Sequence, residues 1–428
     1  MKGCGGLTDR ISYSASSLPA AKILLTYQRA FFIFPHAKIL IKEGRIMDAL
    51  TNKYTQAANI IVRAGILPFV ISDTLLEIVK LYLTEEEVDF IINNFDQETT
   101  LSIDQLKEKS GLAEADIEKM TDGLAKKGFI FNQPNTKGVM VYRLLPLIIV
   151  GAFEYTFMKE RMEGEKIKEF EKIAKLYHKL LEELKNTVQS QYDAFIPIFD
   201  VQPAPDRTVP LFTNEEGKPI KIIVDETVKV EEQVLPSRTV EEIIKKNDDI
   251  AVGYCFCRNY NKVLGHDCET NAPNEVCFTF GKSARHVVNQ GFARKITQEE
   301  ALKILKETEE AGLIHKAIHN GSNIMKEENS ICNCCKDCCD AFTLWRNGIT
   351  PMINSTNYLS VIDEEECTGC GECETRCPVD AIKITDDKAI REEKYCIGCG
   401  VCARFCPVDA ISLKEGMRRV CVPPPRLR

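Results

Sequence analysis

After Cys4 the chain runs 250 residues without a cysteine, as far as Cys255. No disulfide framework can form there, and 428 residues at 44% hydrophobic content bury enough core to need none. Positive charge is in deficit: 55 Lys and Arg against 63 Asp and Glu leave a net −8, which disfavours nucleic acid as a general partner. Long apolar runs are missing as well. The best stretch, Ile23 to Ile41, is interrupted by Arg29, Pro35, His36 and Lys38, whereas a membrane span needs about twenty mostly apolar residues. A secretory signal is excluded by the order of its parts, because the Ser-rich stretch from Tyr13 to Ser17 precedes the apolar run. No G-x-G-x-x-G follows a predicted strand, so there is no dinucleotide fingerprint.

What is present is cysteine at the other end. Eighteen of the 19 fall between Cys255 and Cys421. Such clustering argues for metal ligation in a reducing, cytoplasmic setting rather than for disulfides. The densest pattern is CTGCGECETRCP, from Cys367 to Pro378, repeated as CIGCGVCARFCP from Cys396 to Pro407. Each copy is C-x-x-C-x-x-C-x-x-x-C-P, and Gly369, Gly371, Gly398 and Gly400 permit tight loops around the thiols. Zinc ribbons also use C-x-x-C pairs, but two full copies each ending in proline speak against them. The segment resembles the two-cluster ferredoxins of bacteria. That resemblance implies two [4Fe-4S] clusters with crossed ligands. Cys367, Cys370, Cys373 and Cys406 would hold one, and Cys396, Cys399, Cys402 and Cys377 the other. From Val361 to Gly416 there are 13 acidic and 7 basic residues, a difference of −6, which suits a redox partner protein with a basic rim.

A second cysteine field precedes this one. Cys255, Cys257, Cys268 and Cys277 come first, and Cys332, Cys334, Cys335, Cys338 and Cys339 follow after a helical gap. Its spacing is less diagnostic. One or two further Fe-S clusters are expected, with Cys255, Cys257, Cys268 and Cys277 as the favoured set; structural zinc and a thiol or disulfide redox site stay open as alternatives. His266, His286, His315 and His319 are read as surface or core residues, Arg258 and Arg285 as surface ion pairs. Cys421 lies outside both repeats and is not counted as a ligand.

The first half reads as helices and a hairpin. Thr84 to Glu87 forms a capping box, Ser102 to Ser110 a helix stopped by Gly111, and Glu114 to Lys127 a helix stopped by Gly128. Phe129 to Leu145 then reads as a hairpin, so that three helices and a wing resemble a winged-helix module. On its third helix Glu114, Asp116, Glu118 and Asp122 outnumber Lys119, Lys126 and Lys127, which disfavours phosphate contact. A long charged helix is expected from Glu154 to Gln191.

The expected fold is α+β, in six parts. Residues 1–46 are an unstructured extension, 47–190 a helical winged-helix-like domain, and 191–250 an extended Pro-rich connection with a hairpin. Residues 251–359 form a cysteine-rich α+β domain, 360–414 a ferredoxin-like two-cluster module, and 415–428 a tail. The whole from Met47 to Leu413 resembles a group of larger ferredoxin-like proteins of anaerobes. The expectation is an electron carrier or oxidoreductase subunit, without membrane span or nucleic acid, passing low-potential electrons to or from a partner oxidoreductase. The alternatives are a catalytic subunit with its active site in the central cysteine field, and a redox-sensing winged-helix regulator.

Overall fold

The helix starts of the first half are set by side-chain caps. The computed structural model describes residues 49–224, 239–270, 272–319 and 326–427; the extension expected at 1–46 lies outside them. After α1 (Ala49–Arg63), Ser72 accepts the Leu75 N–H to open α2 (Asp73–Tyr82). Thr84 and Glu87 form the reciprocal box that opens α3 (Glu85–Phe95), and Ser102 with Gln105 does the same for α4 (Ile103–Ser110). Gly111, at φ 69°, ends α4 before α5 (Glu114–Lys126). The hairpin is β2 (Ile130–Pro134) and β3 (Met140–Leu144), and a short β1 (Thr100–Ser102) adds to it in the antiparallel order β1-β3-β2. Three residues are too few for a period of two to announce a strand.

The long helix expected from Glu154 to Gln191 is two, α6 (Ala152–Met158) and α7 (Glu165–Ser190), followed by α8 (Tyr192–Asp200). Asn259 holds the break open. Its Nδ2 donates to the carbonyls of Phe157 and Glu160, each at 2.7 Å, and its Oδ1 accepts from the Met162 N–H at 3.3 Å. A side chain 97 residues downstream thus satisfies the backbone groups that the interruption strands. Phe153, Phe157, Phe170 and Tyr177 pack with Tyr260 in one core, so the helical half rests on the segment that bears Cys257.

The rest is built on a nine-stranded mixed sheet. In chain order its parts are β4 (Asp206–Val209), β5 (Ile222–Ile223), α9 (Val240–Lys245), β6 (Ile250–Tyr254), α10 (Phe256–Val263), β7 (Glu275–Phe280), α11 (Gly281–Asn289), β8 (Arg294–Ile296), α12 (Gln298–Glu310), β9 (Ile314–His319), β10 (Glu328–Cys334), α13 (Asp340–Arg346) and β11 (Met352–Ile362). The last strand, β14 (Ile411–Val422), follows an excursion through α14 (Glu372–Arg376), the hairpin β12 (Ile382–Thr385) and β13 (Lys388–Arg391), and α15 (Val401–Arg404). The strand order is β5-β14-β11-β4-β9-β10-β7-β6-β8, parallel only at β4/β11 and β5/β14.

Two segments differ from the sequence expectation. The stretch expected as a connection supplies β4, an inner strand buried along its length. It looks polar because its charges are paired indoors: Arg207 with Glu328 at 3.1 Å and Asp206 with Lys316 at 2.8 Å. Residues expected to start a tail continue β14 to Val422, pairing with β11 from Ile411↔Ile362 to Val422↔Met352. Beyond them the carbonyls of Pro423 and Pro424 accept from Trp345 Nε1 and the Tyr192 hydroxyl at 3.0 and 2.6 Å.

Candidate metal centres

β11 delivers the chain into the two repeats and β14 takes it out again. Between them lie two cavities. One is lined by Cys367, Cys370, Cys373 and Cys406 with Ile384, Ala389 and Ile411; the other by Cys377, Cys396, Cys399 and Cys402 with Ser360, Val379 and Ile397. They enclose about 320 and 330 Å³ of free space, part of it open to solvent. Each is closed by one cysteine from the opposite repeat. The reason is local: α14 and α15 turn Cys377 and Cys406 away from their own loops, and the prolines that follow end the turn.

Glycine is required where the loops meet other backbone. A Cβ on Gly398, at φ 64°, would stand 2.1 Å from the Tyr358 carbonyl oxygen, and one on Gly369, at φ 68°, 2.3 Å from that of Asp387. Donors reach the sulfurs as well. The N–H of Ala381 points at Cys377 Sγ (3.2 Å), that of Ala389 at Cys367 Sγ (3.4 Å), and Ser360 Oγ lies 3.4 Å from Cys396 Sγ. Burial pushes the Cys373 thiol up to about 11 and raises those of Cys377, Cys399 and Cys402. Buried thiols of this kind ionise when a metal takes the proton's place. Four thiols around a void, with N–H donors on their sulfurs and no room for a Cβ behind them, fit a [4Fe-4S] cluster in each cavity.

The central cysteines divide six and three. Strand pairing explains the six. The antiparallel register of β7 with β10 sets Ile331 against Phe278, which brings Cys332 beside Cys277. A period of two puts Cys334 on the same face of β10 as Cys332. Cys255 precedes α10, Cys257 lies in its first turn, and Cys339 precedes α13. Each of these thiols interacts with two others, which closes a ring: Cys255 with Cys257, then Cys339, Cys334, Cys332, Cys277 and back to Cys255. Cys268, expected with Cys255, Cys257 and Cys277, lies apart with Cys335 and Cys338.

Buried cations serve both groups. Arg258, expected as a surface ion pair, is 5% exposed; it donates to the carbonyl of Asn333 at 2.9 Å and to that of Pro273, and it faces Cys255, Cys335 and Cys268. Its charge offsets thiolates that no solvent screens. Burial alone would lower the Lys316 amine, but Asp206 with Cys339 and Cys334 holds it up. Arg285 does form the expected exposed ion pair, with Asp249. Among the histidines His266 is exposed, while burial pushes His286 and His315 down to about 4, neutral at pH 7. His315 Nδ1 is 2.6 Å from Asn333 Oδ1, a core contact rather than a ligand position.

Sequence reasoning passed over Asp337, Lys316 and Ser360. Asp337 had a signal, since it stands between two cysteine pairs in CCKDCC; the other two had none. Cys334 and Cys339 share one apolar core with Cys377, Cys396 and Cys399, through Ile314, Phe342 and Val379. Cys373 and Cys402, from the two cavities, share another with Ile382 and Ile411.

Residues 360–413 match the family model of the 4Fe-4S dicluster domain. No curated protein matches the chain. Among the described residues no helix is long and apolar enough to cross a membrane.

Proposed function

We propose that this is a cytoplasmic iron–sulfur electron-transfer protein that passes low-potential electrons to or from a partner oxidoreductase. The observation that carries the reading is the closure of each four-cysteine cavity by a thiol from the opposite repeat. A [4Fe-4S] cluster held by Cys367, Cys370, Cys373 and Cys406, and another held by Cys396, Cys399, Cys402 and Cys377, would supply reversible one-electron storage. The chain contributes the surroundings. Val379, Ile382, Ile397 and Phe405 keep water from the sulfurs, and the N–H groups of Ala381 and Ala389 stabilise negative charge on them. The ring of six thiols is the place for a further cluster. Its apolar core is continuous with that of the second cavity, which supports a relay from the middle of the protein to its acidic C-terminal module.

The helix, strand and hairpin order with a β1-β3-β2 sheet supports a winged-helix reading of the first half. Its charges favour protein docking over DNA. On α5, Asp116 and Glu118 are exposed and Glu114 pairs with Lys107; of its lysines and the one that follows, Lys126 is tied to Asp122, Lys127 to Glu87, and Lys119 is exposed.

Anaerobic iron and sulfide counts with a redox titration followed by EPR test the proposal. About eight irons answer to the two cavities alone, and about twelve or more to an occupied ring as well. Fewer than about four irons, or EPR signals that do not titrate reversibly, would refute it.

A further inference from the structure

The three cysteines left out of the ring have an arrangement of their own. Cys268, Cys335 and Cys338 place their sulfurs, together with a carboxylate oxygen of Asp337, all within 4.8 Å of one another. Among the described residues no other set of three or more potential ligand atoms is so close. The six-thiol ring, although each thiol interacts with two neighbours, spreads wider than this. The difference is chemical. A cubane places four irons and four sulfides between its thiolates, so its ligands must stand apart around a void, as they do in the two C-terminal cavities. A single tetrahedral ion draws its ligands together. With Zn–S of about 2.3 Å and Zn–O of about 2.0 Å, neighbouring sulfurs sit about 3.8 Å apart and a sulfur and oxygen about 3.5 Å. Here Cys268 Sγ is 3.8 Å from Asp337 Oδ1, and Cys338 Sγ is 3.2 Å from Oδ2 of the same carboxylate.

The surroundings suit such an ion. The Glu269 N–H donates to Asp337 Oδ2 at 2.7 Å, which fixes the carboxylate as a ligand's outer partner should. Arg258, buried, faces Cys335 and Cys268, offsetting the excess negative charge of three thiolates and a carboxylate around a divalent cation. Leu313, Ala272 and Ala311 pack against the thiols.

We propose that Cys268, Cys335, Cys338 and Asp337 form a mononuclear zinc site, separate from every iron–sulfur centre of the chain. Zinc entering it displaces the thiol protons to solvent. Its role is to clamp the loop between α10 and β7 onto the turn between β10 and α13, the two segments that carry ring cysteines on either side. The site does not depend on the electron-transfer reading.

The test is metal analysis of the full chain purified anaerobically, wild type beside Cys268→Ser. Cys268 is the least buried of the three, so its replacement disturbs packing least. The expected result is about one zinc per wild-type chain, lowered at least tenfold in Cys268→Ser, with iron and sulfide unchanged. Zinc absent from the wild type, zinc retained by the variant, or about four irons lost with it would overturn the site. X-ray absorption at the zinc edge of the wild type needs no variant: about three sulfurs and one oxygen support the assignment, and four sulfurs or a nitrogen-rich shell contradict it. Iron content of the wild type reports separately on the clusters.

Discussion

Lys316 and Asp206 form a buried ion pair, Nζ to Oδ2 2.8 Å, on neighbouring strands β9 and β4. Lys316 is opposite Cys332 in the β9/β10 register. Removing one partner strands the other charge in the interior. Lys316→Met should therefore cost about 3–5 kcal/mol, and the double variant with Asp206→Asn should recover much of that loss. Thermal unfolding of both single variants and the double variant checks the order; a double variant that loses as much as the two singles together would show that the pair is not coupled.

Cys406 belongs by sequence to the second repeat and by position to the cavity of the first. Cys406→Ser should damage the centre held by Cys367, Cys370 and Cys373 and leave the other EPR signal largely intact. Cys377→Ser should do the reverse. Damage confined to each cysteine's own repeat would contradict the crossed arrangement.

Gly398 and Gly371 both have positive φ, but only Gly398 is crowded. Gly371→Ala meets nothing within 4 Å and should cost about 1 kcal/mol, the backbone term alone. Gly398→Ala must in addition move the Tyr358 carbonyl, and it should lower iron content at least twofold relative to Gly371→Ala. Matching iron counts would mean that the loop can shift freely.

Glu154 is buried at the start of α6, where its carboxylate accepts the N–H groups of Ile149 (2.7 Å) and Gly151 (2.9 Å). Burial nevertheless pushes its carboxyl from 4.5 up to about 7. The folded state then holds more protons than the unfolded state between those values. Its contribution is full below about pH 4.5 and is lost as pH rises through 7, about 3 kcal/mol in all. Wild-type stability relative to Glu154→Gln should fall from pH 5.5 to 7 and level off above about 7.5. A flat difference across that window would show that Glu154 ionises normally.

Much of the local structure was legible in the chain. Thr84 and Ser102 cap the helices they precede, because a short side chain and the backbone three residues on settle a helix start by themselves. The break before α7 was not legible, since Asn259 makes it from far away. β4 was not legible either, because Asp206 and Arg207 read as surface until Lys316 and Glu328 come to meet them.

The same division runs through the metal centres. Sequence by itself determined the ligand spacing of the two C-terminal repeats, the glycines among them and the acidic balance around them, all properties of contiguous residues. Only the tertiary structure decided how the nine central cysteines divide. Strand register sets Cys277 beside Cys332, and the two-residue period turns Cys334 to the same face. The loop after α10 carries Cys268 away to Cys335 and Cys338. Spacing within one segment cannot state which segments will be neighbours, and in the central field every group of thiols is drawn from several segments.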